Sequence, residues 1–337
     1  GPVPRFRCTA CGKTFSNQTF SVDYYAKRVV DYENLAGRLS SCECLRAMGR
    51  ALGLSSDSVS NRIARAARQA IAAESRLSRT RVLAENLAAD GFESFCVSQY
   101  HPNNIHLLVG SDSQFVYAAN YVTLRRKGRM SEGQKRKRWR LERLFRPPPR
   151  AVEHAFGEIA AECLRVLADE PRASLTLWTD EKTDYTPALA AEPCVAFLAR
   201  EGRLVHRTVS SRAARTRANP LFPVNYLDRE LRKDLHEHVR ETVCFGRNVN
   251  RQMERLALYL FIHNYLKRFR IPYDRRSHAE AAGYDPRRIA VELKLVWKRR
   301  AFLSLTETTP GMRDSWLRLR ETPLKKGKDY LPRYAAA

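Results

Sequence analysis

Apolar residues along the chain recur with two periods, and the places where the period changes mark its elements. From Cys44 the spacing is helical: Leu45, Met48 and Leu52 share one face, Gly53 can close that helix, and Ser55 or Ser56 can cap a second one carrying Val59, Ile63 and Ala67. This is helix-turn-helix spacing, and an ordinary helical hairpin is the other reading of it. A basic helical stretch continues to about residue 88. Three partly alternating runs, Phe92 to Val97, Ile105 to Gly110 and Phe115 to Val122, then predict consecutive antiparallel strands. Helical spacing returns over Val152 to Ala168, with Phe156, Ile159, Cys163, Leu164 and Leu167 inward, and gives way to a strand from Leu175 to Thr179 that leads into Asp180. A helix over about Pro187 to Arg200, a strand over Leu204 to Val209, and helices over roughly Tyr226 to Val243 and Val249 to Arg270 complete the pattern. Strands, helix, strand, helix, strand and helices in that order predict a mixed α/β sheet with flanking helices.

Charge adds a partner to this picture. The 337 residues carry 60 Lys or Arg against 36 Asp or Glu, a formal charge of +24 that repels itself in a compact chain and that a polyanion such as double-stranded DNA would relieve. On the second helix of the hairpin, Ser58, Ser60, Asn61, Arg62 and Arg65 are expected to face outward, where they suit base edges and phosphates. Arg125 to Arg150 holds 12 Lys or Arg and two Glu, and ends in Pro147-Pro148-Pro149. A solvated linker is one reading of that block. A phosphate-contacting insertion, with Arg125, Arg126, Lys127, Arg129, Lys135, Arg136, Lys137 and Arg138 as its contacts, is preferred because so dense a charge would otherwise repel itself. No run approaches the roughly 18 apolar residues of a membrane span and no secretory h-region opens the chain, so a soluble, cytoplasmic and nucleoid-associated protein is expected. The opening Gly1-Pro2 resembles the scar of a protease-cleaved tag.

Eight cysteines are too sparse for a disulfide scaffold, and Cys96, Cys163, Cys194 and Cys244, each single within an apolar segment, read as reduced core residues. Cys8 and Cys11 differ: Cys-x-x-Cys followed by Gly12 suits a zinc knuckle. They are half of a four-ligand site. Cys42 and Cys44 are the other close pair, at a Cys-x-Cys spacing that fits less well, so structural Zn²⁺ and a reduced, metal-free pair both stay open.

Phosphodiester cleavage and transfer can be run by two divalent cations about 3.5–4 Å apart, held by carboxylates brought together from separate elements. Asp90, just before the first strand run, and Asp180, at the end of the fourth, could project from one sheet. Either alone is more often a turn or cap residue. In the context of the half zinc ribbon and the helix-turn-helix, the pair resembles the IS-one-like insertion-sequence transposases. That resemblance implies a ribonuclease-H-like catalytic domain with an Asp-Asp-Glu metal triad. Its sharpest match is Arg240-Glu-Thr-Val-Cys-Phe-Gly-Arg-Asn-Val-Asn250, with the helix continuing through Ala257-Leu258 to His263-Asn264-Tyr265. Phe245, Gly246, Arg247 and Ala257-Leu258 fit in register, which puts Asn250 where the family has its catalytic Glu. Either this is an Asp-Asp-Asn variant, with Asn250 binding Mg²⁺ beside Asp90 and Asp180, or Glu254, one turn further on the same helix face, supplies the carboxylate.

The resemblance implies a transposase that binds terminal inverted repeats, cuts and joins DNA with two Mg²⁺ or Mn²⁺ ions, and acts as a homodimer or larger assembly. The chain divides accordingly into a partial zinc-ribbon-like segment (1–40), a helix-turn-helix (41–80), a catalytic domain (81–270) with a basic insertion (122–150), and a basic C-terminal tail (271–337). Arg287 to Arg300 and Lys325-Lys326-Gly-Lys328 are cationic stretches of that tail, and Arg212, Arg215 and Arg217 could hold a strand near the site. A domesticated, inactive DNA-binding relative and a nuclease of the same fold are the competing readings.

Overall fold

The structure, a computed structural model, describes residues 3–79, 83–168, 174–270 and 273–324. Gly1-Pro2, the Cys163 side chain and the Lys325 to Lys328 cluster lie outside the described residues.

The chain opens with a short hairpin, β1 (Arg5–Arg7) and β2 (Thr14–Ser16), followed by α1 (Tyr32–Leu39), α2 (Leu45–Leu52) and α3 (Ser56–Ser78). Local chemistry sets the helix ends: Asp31 caps α1 through the Glu33 and Asn34 amides, and Ser55 caps α3 through that of Ser58. Between α2 and α3, Gly53 takes the left-handed conformation (φ 63°). A Cβ on Gly49 would lie 2.6 Å from the Leu54 carbonyl oxygen, so the turn closes only over a glycine.

A five-stranded sheet is the centre of the molecule. Its strands are β3 (Leu87–Phe95), β4 (Pro102–Gly110), β5 (Val116–Thr123), β6 (Leu175–Asp180) and β7 (Leu204–Val209), in the order β5-β4-β3-β6-β7. The first three pair antiparallel; β6 runs parallel to β3, and β7 parallel to β6. Between β5 and β6 come α4 (Glu132–Glu142) and α5 (Ala151–Ala168), which lies on β4 and β5; α6 (Tyr185–Ala191) and α7 (Pro193–Arg200) lead to β7, and α8 (Phe222–Asp234) and α9 (Val249–Tyr265) follow it. The mixed sheet with flanking helices expected from the periodicity is therefore present.

Four boundaries differ from expectation. The helix expected over 187–200 is two helices, because Pro193 has no N–H to continue a ladder and Glu192 before it is extended (φ −88°, ψ 115°). The helix expected over 226–243 starts at Phe222 and stops at Asp234, where Leu235 turns extended, and residues 268–270 form β8 (Arg268–Arg270), not the end of α9. β3 begins at Leu87, so Asp90 lies within a strand and not ahead of it.

The described part of the expected C-terminal tail is folded. β8 pairs with β9 (Asp274–Ser277); α10 (His278–Ala281) and α11 (Pro286–Val296) follow, with α11 against α3 through a bidentate Arg76–Glu292 pair and buried Ile289 and Val296. Residues 298–300 return to the N-terminal segment, where the Val22 amide bonds Lys298 and the Arg300 amide bonds Phe20. α3 itself packs along α9.

Candidate active site

Register places the first two aspartates together. Ala88 on β3 pairs with Trp178 on the parallel β6, so Asp90 and Asp180, each two residues further, are level on adjacent strands and share a face. Both stay partly exposed. The Asp90 carboxylate accepts the Gly91 amide at 2.6 Å, and Asp180 accepts that of Lys182 at 3.1 Å. Burial, and then the charge of Asp180, push the Asp90 carboxyl up to about 6; Lys182 and Arg215 oppose the rise.

The sheet face carrying Asp90 is covered by α8. Arg232 stacks over the Phe92 ring (4.6 Å) and donates to the Glu93 carbonyl, while beyond the helix His238 meets Ser94 (3.0 Å) and Phe92. This brings in Asp228, which no sequence motif singles out. Its carboxyl is pushed up to about 8, by burial first and by the charge of Asp90 second, and its Oδ1 is buried with no hydrogen-bond partner among the described residues. Tyr185, fully buried and stacked on Phe156 (4.0 Å), feels all three carboxylates: after burial, Asp90, Asp180 and Asp228 are among the charges that raise its phenol, whose oxygen is also unpartnered. Lys182 lies over the Tyr185 ring at 5.5 Å. On β4, His106 is fully buried and held neutral, its imidazole pushed down to about 3 by burial and then by Lys182.

Asn250 and Glu254 are committed elsewhere. The Asn250 amide is clasped by the Arg320 backbone, donating to its carbonyl and accepting from its N–H, each at 2.8 Å. Glu254 pairs with Arg251 (2.7 Å) and Arg68 (3.9 Å) on the side of α9 that faces α3. The motif ahead of them packs on the far end of β3: Gly246 bridges Cys96, and Phe245 lies 5.8 Å from Phe95. Phe95 is five residues, roughly 16 Å of strand, beyond Asp90. The register of that resemblance therefore points to Asn250, which fastens α9 to the Arg320 segment, and to Glu254, which faces α3, whereas Asp228 is the carboxylate whose charge is coupled to that of Asp90.

Of the expected DNA contacts on α3, Ser58 bonds the Ser55 hydroxyl and exposed Asn61 accepts from Arg251. Arg62 and Arg65 point inward and not outward: Arg62 is buried and donates to the Arg28 carbonyl, and Arg65 donates to those of Val22 and Tyr24. Carbonyls of the irregular 22–28 segment need donors, and these two guanidiniums supply them. The basic insertion does reach solvent. Lys127, Arg129 and Arg136 are exposed, Arg126 and Lys137 stack on Tyr100 (4.6 and 5.1 Å), Arg125 and Arg138 share Glu142, and Lys135 pairs with Glu132. Arg212, Arg215 and Arg217 lie on an exposed loop after β7.

Cys8 and Cys11 occupy the β1–β2 turn with Gly12 at φ 69°, and the Cys11 and Ala10 amides draw the Cys8 thiol below its ordinary value. Among the described residues no three His, Cys, Asp or Glu side chains are already drawn to the spacing of a bound metal ion, and no helix is long and apolar enough to cross a membrane. A cavity of about 420 Å³ lies between α3, α5, α9, β5 and residues 307–316, and none of the three aspartates lines it.

No protein-family model matches the chain, and no curated protein matches it.

Proposed function

We propose that the chain is a metal-dependent DNA transposase of the insertion-sequence type, with Asp90, Asp180 and Asp228 as its metal-binding carboxylates. The observation that carries this is the convergence of three acidic groups from β3, β6 and α8, two with raised carboxyls, in a strongly basic chain. Strand order β5-β4-β3-β6-β7, with an antiparallel half and a parallel half, supports a ribonuclease-H-like reading of the sheet. Perturbed acids that face one another at a partly open site are a functional signature, because their repulsion is a cost to folding that a bound cation offsets.

The donor set fits hard divalent cations: carboxylate oxygens only, one of them buried and unpartnered. Two Mg²⁺ or Mn²⁺ ions, when bound, activate the attacking oxygen and stabilise the leaving one. The chain's own residues do the rest. Asp90 and Asp180 sit on rigid strands and fix the donors, while Asp228 closes the site from α8. Lys182, Arg215 and Arg232 surround it with positive charge suited to a phosphate backbone. Tyr185 walls the site with an apolar ring, and its phenol is close enough to the acids to feel their charge. The exposed insertion around α4 and the exposed end of α3 would hold the flanking duplex.

With Asp228 supplying a third carboxylate, Asn250 no longer argues for a decayed, purely DNA-binding protein. The test is incubation of the chain with labelled duplexes bearing the sequences that flank its gene, in Mg²⁺ or Mn²⁺. Cleavage and joining that Asp90→Asn, Asp180→Asn and Asp228→Asn each abolish are expected. Cleavage without joining would make it a nuclease, and absence of both would remove the enzymatic reading.

A further inference from the structure

The cavity of about 420 Å³ between α3, α5, α9 and β5 is roofed by residues 307–316. Protein interiors are close-packed, with few voids larger than a water molecule, whereas this one is within the roughly 300–1,000 Å³ of small-molecule sites. Its roof is pinned in place. The Ser75 hydroxyl on α3 donates to the Glu307 carbonyl, and the Arg313 guanidinium donates to the Thr308 hydroxyl (2.9 Å). Arg320 holds the far end by donating to the Asp314 and Ser315 carbonyls (2.8 and 3.4 Å) and to the Tyr121 carbonyl of β5 (2.9 Å). Gly311 sets the approach to α5: a Cβ there would lie 2.8 Å from the Glu162 Cβ, so the roof sits this low only over a glycine.

The lining is divided by polarity. Its floor is apolar: Ile71 of α3, Val116 of β5, Ile159 of α5, and Leu260 and Phe261 of α9 are all buried. The charged part of the lining is mostly acidic. Glu74, Glu158, Glu162, Glu307 and Asp314 stand there against two arginines, Arg79 and Arg165, in a chain where basic residues outnumber acidic ones by 60 to 36. Both arginines are engaged by acids of the same lining, Arg79 by Glu307 and Arg165 by Glu162 (3.6 Å). Glu158 is exposed and accepts from the Asn120 amide (2.7 Å), a donor that brings it no positive charge. Trp316 in the roof and Phe261 in the floor add aromatic rings, whose faces attract cations.

We propose that this cavity binds a small organic cation, an ammonium group on an apolar body, with the body among the floor residues and the charge among the carboxylates. The chain as a whole selects the other way, because its excess of Lys and Arg repels a cation and attracts an anion. A preference for cations is therefore a local property of this lining. The site takes no part in the metal chemistry proposed for Asp90, Asp180 and Asp228, and it does not depend on the DNA reading.

Titration calorimetry on the full chain tests it with three probes of one shape: phenylbutylammonium, phenylbutanol and phenylbutyrate. The ammonium should bind, the alcohol at least about tenfold more weakly, and the carboxylate weakest of all. Glu158→Gln keeps the oxygen that accepts from Asn120 and removes the charge, so it should weaken the ammonium by about two- to fivefold and leave the alcohol unchanged. Ala118→Phe, at a partly buried position of the lining, should fill the space and abolish binding of all three. Because the ranking of the probes is read on the unaltered chain, the proposal can fail even if Ala118→Phe does not fold. Equal binding of ammonium and alcohol, tighter binding of the carboxylate, no binding of the ammonium at millimolar concentration, or an ammonium affinity that neither variant changes would each overturn it.

Discussion

Replacing Asp228 with asparagine separates a metal-binding role from a structural one. Burial and the charge of Asp90 raise this carboxyl from its ordinary 3.8 to about 8. The folded chain therefore keeps a proton on Asp228 that the unfolded chain has released, and this group's contribution to stability falls as pH rises from about 4 to about 8, then levels off. A displacement of that size corresponds to roughly 5–6 kcal/mol, which solvent reaching the partly exposed side chain reduces to about 2–3 kcal/mol. Asparagine is nearly isosteric and stays neutral. In chelator, Asp228→Asn should match wild type near pH 4 and exceed it by about 2–3 kcal/mol near pH 8.5 in urea denaturation.

Magnesium should largely erase that difference. At a hundredfold excess over Kd, a cation that binds only the folded state adds about 2.7 kcal/mol to the wild type. The gain should grow from about pH 6 to pH 8, as Asp90 and Asp228 surrender their protons, and should be largely lost in Asp228→Asn. Parallel pH–stability curves for the two proteins, or equal stabilisation by Mg²⁺, would refute the assignment of Asp228 and leave it a buried acid of the α8 packing.

Asn250→Ala removes the clasp on Arg320 and should cost about 1–2 kcal/mol in thermal or urea unfolding, while Glu254→Gln should be within about 1 kcal/mol of wild type; both should retain DNA cleavage. Gly49→Ala drives a Cβ against the Leu54 carbonyl and should destabilise the α2–α3 turn by about 1–3 kcal/mol, with loss of duplex binding in a gel-shift assay if that turn presents α3 to DNA. The triple change Lys135→Ala, Arg136→Ala, Lys137→Ala should leave unfolding unchanged and lower the slope of log affinity against log salt by up to about 2.7, at about 0.9 for each phosphate no longer neutralised. An unchanged slope would return α4 to the status of a solvated helix.

What is legible in the sequence follows from how completely each element is buried. Leu204–Val209 and Leu175–Asp180 are readable because strand alternation and turn residues agree there, and the sheet order then brings Asp90 and Asp180 level without further information. Arg62 and Arg65 mislead because charge suggests exposure, whereas a long guanidinium also satisfies buried carbonyls of an irregular segment. Segment 235–248 imitates a helix because His236, Glu237 and His238 are all buried, and no periodicity distinguishes a packed irregular stretch from an amphipathic helix.

Asp228 is the instructive omission. Its helix holds two more acids, Glu230 and Asp234, which meet Lys233 and Lys267, so a census of charge gives no reason to separate it from them. The signal is positional. Val224, Leu227, Leu231 and Leu235 are buried at helical spacing, and Asp228 falls at i+4 from the first and i−3 from the third, on the stripe where a core residue belongs. A carboxylate there is unfavourable unless a counter-charge arrives, and the charged neighbour that moves its carboxyl most is another acid, Asp90, ahead of Arg232 and Arg215. An acid on an apolar stripe, coupled to one of the two that the sheet already carries, is therefore the ground on which Asp228 is proposed as the third ligand in place of Asn250, to which the short motif points.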